Sequence, residues 1–169
     1  MSREDEFVDY IIKRCQQDKG FAARLRRADN SATEYQSWEI LGRWVDLENA
    51  WERLPYATVA AAIARSKVDR NGTLGLGQGL AKCYSDKNTE SDKGGPANAR
   101  LRRLLACNDT QEVCRVIRPL LTMIGGRVAQ PLNYGQLLRD LRYFSEKSKI
   151  RWAQDFYRNL DKASLGEVE

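Results

Sequence analysis

The stretch TQEVCRVIRPLLTMIGG admits one regular structure. Val113, Val116, Ile117, Leu120, Leu121 and Ile124 recur at intervals of three and four. A helix gathers them into one stripe, whereas a strand scatters them over both faces. Asp109 and Glu112 form a cap pair ahead of the stripe, and Gly125-Gly126 ends it. Pro119 interrupts the pattern and predicts a kink or break. The same period recurs elsewhere. Ser2 is placed to cap a helix carrying Phe7, Val8, Ile11, Ile12 and Cys15, with Gly20 to close it. Tyr35, Trp38, Leu41 and Val45 share a helical face, ENAWERL stops at Pro55, and the alanine-rich YATVAAAIARSK reads as buried. No period-two alternation and no internal repeat is visible. The expected fold class is all-α.

Residues 85–96, SDKNTESDKGGP, hold no apolar side chain except Pro96. Such a segment is a surface loop or linker. It divides the chain into two expected helical bundles, residues 1–85 and residues 96–160. Charge divides at the same place. Residues 1–95 carry 15 basic and 15 acidic side chains, while residues 96–160 carry 12 and 5. A neutral half joined to a basic half points to a polyanionic partner for the second.

Several classes of chemistry are disfavoured. Histidine is absent, which removes histidine-dependent nucleophile systems and histidine metal sites. None of Cys15, Cys83, Cys107 and Cys114 forms a C-x-x-C pair, so they read as buried free thiols. The glycine-rich NGTLGLGQGLAK lacks the Gly-Lys-Ser/Thr ending of a phosphate loop, and Leu80 stands where a dinucleotide fingerprint needs glycine. It reads instead as a helix start whose small residues allow close packing, with Leu74, Leu76, Leu80 and Ala81 inward. No catalytic residue, metal or cofactor is expected. No apolar run reaches the length of a membrane span, and the acidic N-terminal residues are unlike a signal peptide. A cytoplasmic location follows as an expectation.

Helical spacing places the basic residues in rows. Lys147, Arg151 and Arg158 share a face of the last helix, opposite Ile150, Ala153, Phe156, Tyr157 and Leu160. Arg139 and Arg142 lie three apart, as do Arg100 and Arg103, with Arg102 beside them. Arg115 and Arg118 flank the 113–124 stripe, and Arg24, Arg26 and Arg27 cluster in FAARLRRA. Guanidinium donates in a fork to two phosphate oxygens, and phosphate contacts carry no sequence information. Such rows suit sequence-tolerant nucleic-acid binding, and Tyr134, Tyr143, Phe144 or Trp152 could stack on unpaired bases. They equally suit a solvated face or an acidic protein partner.

The order of motifs resembles one family. LLRDLRYFSEKSKIRWAQDFY, residues 137–157, is similar to a Leu-x-x-Asp-Leu-x-x-aromatic segment, a basic stretch and Trp-Ala-x-x-Phe. Here these are Leu137, Asp140, Leu141, Phe144, Trp152, Ala153 and Phe156. ARLRRLLACND at 99–109, LGQGLAK at 76–82 and ARLRRA at 23–28 match further segments in the same order. The chain thereby resembles the CasB family, the small subunit of the type I-E CRISPR complex Cascade. The resemblance implies a non-catalytic, all-helical subunit, present in two copies beside the backbone and large subunits. It implies a basic surface that holds DNA, target and displaced strands alike, while guide RNA invades the duplex. The residues expected to contact phosphate are Arg26, Arg27, Arg100, Arg102, Arg103, Arg118, Arg139, Arg142, Lys147, Lys149 and Arg151. The alternative is a helical protein-interaction subunit that never touches nucleic acid.

Overall fold

A helix whose buried stretch is rich in small residues occupies the centre of the fold. In the computed structural model, which describes residues 1–84 and 95–164 with side chains as far as Leu160, every residue from Pro55 to Ala64 is buried. They belong to α4 (Ala50–Ser66), the fourth helix of an all-α chain. Before it come α1 (Arg3–Gln17), α2 (Lys19–Leu25), a single 3-10 turn over Glu34–Ser37 and the short α3 (Trp38–Leu41). After it come α5 (Leu76–Lys82), α6 (Gly95–Leu105), α7 (Thr110–Arg127), α8 (Tyr134–Arg142) and α9 (Glu146–Ser164). Extended pairing among the described residues is limited to one isolated bridge between Leu74 and Leu132.

Alanine, valine and threonine on α4 leave room for helices on all sides. α1, α2, α7 and α8 pack directly on it, α8 also packs on α1, and α5 lies along α9. The segment read as a boundary falls largely outside the described residues, and the helices on either side of it contribute to one hydrophobic cluster. Phe7 and Tyr56 meet edge to face at 4.7 Å between centroids at its centre. Each large apolar side chain fully withdrawn from water there contributes roughly 1.5–3 kcal/mol.

The local signals that formed were those written into a few adjacent residues. Ser2 accepts from the Asp5 amide, and Asp109 accepts from the Glu112 amide at 2.8 Å. Glu112 returns the bond by accepting from the Asn108 amide at 2.7 Å. The 113–124 stripe is inward as expected, with Val116 at its margin. The glycine-rich segment packs as read from the sequence. Leu74, Leu76, Leu80 and Ala81 are buried. A Cβ on Gly77 would stand 2.1 Å from the Trp152 carbonyl oxygen, so only glycine lets α5 approach α9 this closely.

Four local expectations are corrected. α4 runs through Pro55 instead of stopping there, and α7 continues past Pro119, so of the kink or break expected there the break does not occur; both helices are held along their length by buried neighbours. α1 stops at Gln17 rather than Gly20. Asp18 leaves the helix and caps α2 by accepting from the Gly20 and Phe21 amides. Around α3 the inward residues are Ser37, Ile40, Leu41 and Val45, while Tyr35 and Trp38 are exposed. On α9 the inward face is Ser148, Trp152 and Phe156, and Ile150 and Tyr157 point outward.

Gly77→Ala is expected to lower unfolding free energy by about 1–3 kcal/mol, through forced separation of α5 and α9. Gly126→Ala, where a Cβ meets open space, is expected to be neutral or stabilising. Urea denaturation of the two variants measures the difference, and equal effects would contradict the packing argument.

Candidate nucleic-acid interface

α6 and α7 each turn one apolar face inward and thereby aim their arginines at a shared groove. Ala97, Leu101 and Leu104 are buried on α6, which leaves Arg100, Arg102 and Arg103 outward. Burial of the α7 stripe leaves Arg115 exposed. Arg100, Arg103 and Arg115 converge on an open groove of about 240 Å³ whose other walls are Val116, Pro119 and Leu120. Among the described residues no carboxylate lines it, and none of the three arginines has an ion pair. A larger concavity of about 840 Å³ adjoins across α7 and shares Arg115 and Pro119 as its wall. Its far rim is the 28–34 loop, with Asp29, Asn30, Ser31 and Glu34.

Two buried thiols lie within electrostatic reach of the groove arginines. Burial pushes the Cys83 thiol pKa up, against the opposing pull of Arg127 and Arg100. Burial, with Glu112, raises that of Cys107 against the pull of Lys149 and Arg115. Arg127 and Lys149 are thus further cations within electrostatic reach of the same thiols as the groove arginines. Arg127 also lies 5.8 Å from the centroid of the Tyr84 ring, and the Lys149 ammonium 5.5 Å from that of Phe144. Lys147 is exposed on the first turn of α9. Arg26 and Arg27 are exposed at the end of α2, next in the chain to the 28–34 rim of the larger concavity. Arg26 lies close enough to Cys15 to oppose the burial that raises that thiol pKa to about 11.

The other expected phosphate contacts meet carboxylates. Arg139 pairs with Asp5 at 3.2 Å and donates to Ser2 Oγ at 2.9 Å. Arg142 pairs with Glu4 at 2.8 Å and reaches Glu52 at 3.7 Å. These pairs fasten α8 to α1 and α4. Arg118 stands 3.4 Å from Asp29, a buried carboxylate that also pairs with Arg65 at 2.9 Å. Arg151 donates to Asp140. Asp140 is buried, accepts from Gln136 at 2.9 Å and from the Trp152 indole nitrogen at 3.1 Å, and its carbonyl accepts from Ser148. The most specific sequence motif is therefore a latch between α8 and α9.

Eleven basic residues were singled out from the sequence, and seven have no ion pair among the described residues: Arg26, Arg27, Arg100, Arg102, Arg103, Lys147 and Lys149. Arg115 and Arg127 were absent from that set. No local signal separates Arg115 from Arg118, since both flank the same stripe. Only the folded position of Asp29 distinguishes them. Of the candidate stacking aromatics, Trp152 and Tyr134 are buried, and Tyr134 shares a hydrogen bond with Ser66 at 3.0 Å. Phe144 packs against Trp152, while Tyr143 is exposed. No cluster of potential metal ligands occurs among the described residues, and none of their helices is long and apolar enough to cross a membrane.

The sequence matches the family model of CRISPR-associated protein Cse2 over residues 22–157. The chain belongs to the Cse2 family. Cse2 includes the CasB proteins to which the motifs pointed. The fold matches a chain described as "CRISPR RNA-guided surveillance complex" with a TM-score of 0.74 and 22% identity, covering 98% of this chain and 96% of that one. M. ruber CasB matches with a TM-score of 0.72 and 24% identity over 99% of both chains. CasB from Thermobifida fusca matches with a TM-score of 0.65 and 19% identity, over 93% of this chain and 99% of that one. No curated protein sequence matches significantly.

Asp140→Ala leaves the buried Trp152 N–H without its acceptor, so a loss of about 1–3 kcal/mol in unfolding free energy is expected. Arg103→Ala, which breaks no ion pair among the described residues, should change stability by about 0.5 kcal/mol or less. Thermal and urea melts of the two variants would contradict the latch if they coincided.

Proposed function

We propose that this Cse2 chain is a non-catalytic small subunit of a type I-E CRISPR Cascade complex, and that its basic surface holds DNA strands by their phosphates. The supporting observation is the groove formed by Arg100, Arg103 and Arg115, three guanidinium groups facing one concavity without a carboxylate among them. Arg102, Lys147, Lys149 and Arg127 extend the cationic surface, with Arg26 and Arg27 at the rim of the adjoining concavity. Arg118, Arg139, Arg142 and Arg151 contribute positive field while their donors are occupied by carboxylates. Membership of the family, and the likeness to a chain from an RNA-guided surveillance complex, support the assembly: guide RNA, backbone and large subunits, and a second copy of this chain.

In such a complex base pairing reads the sequence, and strand exchange is close to balanced in free energy. A protein that grips target or displaced backbone tips that balance without reading a base. The role places the protein with its DNA target in the cytoplasm and asks no bond-breaking chemistry of it. A protein-binding role has its own support in the neutral half, where Tyr35, Trp38 and Trp51 are exposed. These aromatics suit neighbouring subunits, and the cationic groove suits DNA.

The test is a salt titration of single-stranded oligonucleotide binding by the full chain, alone and assembled, with Arg100, Arg103 and Arg115 replaced by alanine together. Affinity should fall by a similar factor for unrelated sequences. The log–log salt slope should shrink by roughly 0.7 for each phosphate contact removed. Unchanged affinity in both states, or a loss confined to one sequence, would contradict the proposal.

A further inference from the structure

Tyr143 is the most exposed aromatic of the basic half, at 62% of its full accessible area, and it has an unusual mounting. It sits just past the last turn of α8, where its backbone leaves helical geometry. The Arg142 guanidinium carbon lies 5.1 Å from its ring centroid. Arg142 is itself held by Glu4 and Glu52 and also lies 5.8 Å from the Tyr56 ring centroid. Burial works against the Arg142 charge, but Tyr56, Glu4 and Tyr143 outweigh it and push its pKa up. The guanidinium beside the tyrosine is thus a fixed part of the fold, and the ring remains accessible to solvent.

The position of this ring connects it to the groove. Thr110 at the start of α7 donates to the Leu141 carbonyl at 2.9 Å, which ties the end of α8 to the turn between α6 and α7. Phe144, next in the chain, carries Lys149 over its ring, and Lys149 acts with Arg115 on Cys107. An accessible aromatic face therefore stands next to the Phe144–Lys149 contact, close to the turn that leads into α7. Phosphate-gripping cations beside an exposed aromatic are the parts of a single-strand binding surface.

We propose that Tyr143 is a stacking platform for an unpaired base, so that the basic surface prefers single-stranded over duplex DNA. This rests on the reading of that surface as a DNA-binding one. An unpaired strand offers base faces that a duplex keeps inside its own stack. Phosphate contacts by Arg100, Arg103 and Arg115 serve both forms, whereas a contact to a base face serves only the first. Because Arg142 is immobilised by its carboxylates, little ordering is left to oppose binding at the ring.

The experiment compares the wild-type full chain, Tyr143→Ala and Tyr143→Phe, each alone and assembled. Fluorescence anisotropy follows a labelled twenty-nucleotide single strand, the same strand with abasic sites throughout, and its duplex. Tyr143→Ala should weaken single-strand binding about five- to hundredfold, the range of one lost base stack. Its salt slope, its duplex affinity and its binding to the abasic strand should match wild type. Tyr143→Phe should bind as wild type does. An equal loss for single strand and duplex, a changed slope, or no loss would overturn the stacking role. If the arginine groove governs binding but Tyr143→Ala changes nothing, this inference alone fails. If wild type binds neither form in either state, the DNA-binding reading fails and the stacking role falls with it. Thermal melts separate a binding loss from unfolding, which is not expected at so exposed a position.

Discussion

Close packing of helices around the small residues of α4 is the constraint on which the remaining geometry depends. Leucine at the positions of Ala57, Ala60, Ala61 and Ala64 would hold the neighbouring helices apart. With alanine there, α1, α2, α7 and α8 approach one central helix from several sides. Gly77 performs the same task on a smaller scale between α5 and α9. Once these contacts are made, the helices have little freedom to rotate. Their polar faces are set by where their apolar faces had to go. The groove between α6 and α7 is a consequence: Leu101 and Leu104 turn inward, and Arg100 and Arg103 turn outward.

The arginines divide into two populations by the same geometry. One population fastens the fold, with Arg142 at Glu4, Arg139 at Asp5, Arg118 and Arg65 at Asp29, and Arg151 at Asp140. These side chains are partly exposed while Glu4, Asp29 and Asp140 are buried, so each pair supplies charge compensation to a carboxylate the core has already enclosed. The other population lies on helix ends and open faces and forms no ion pair among the described residues. Sequence-independent contact with a polyanion requires donors of the second kind. Long-range attraction draws on both, since a paired guanidinium beyond a partly screened carboxylate still shapes the local field.

This division explains what could be read from the residues alone. The α7 stripe, the Ser2 and Asp109 caps, and the packing role of the glycines each depend on a few adjacent residues, and all were legible. So was the surplus of basic residues after position 95. The partners of individual arginines were not. Arg142 and Glu4 are 138 residues apart, and no helical spacing rule reaches that far. α9 misled for a different reason. It carries apolar residues on two sides, and only the docking of Trp152 onto Asp140 and of Phe156 onto α5 decides which side is inside. Pro55 misled as a helix end because helix propensity is a weak preference beside a buried interface along the helix. Asp140 illustrates the limit best: its motif pointed to the family, and the motif's job in this chain is to hold two helices together.

A convergence of like charges carries a thermodynamic argument of its own. Arg100, Arg103 and Arg115 repel one another across a small groove. Nothing among the described residues offsets that repulsion, because no carboxylate lines the space. Solvent and salt reduce the cost, since screening acts over about 8 Å at physiological ionic strength, but they do not reverse its sign. Elsewhere in the same molecule arginines are matched to acids, so pairing is a solution this fold already uses. An unpaired cluster is unfavourable for folding alone and becomes favourable when a polyanion enters. Phosphates entering such a cluster would also release their own counterions, and both effects would weaken as salt is raised. The groove is thus a local electrostatic strain that a bound polyanion would relieve, and on the DNA-binding proposal retention of a strand would be coupled to the stability of the subunit.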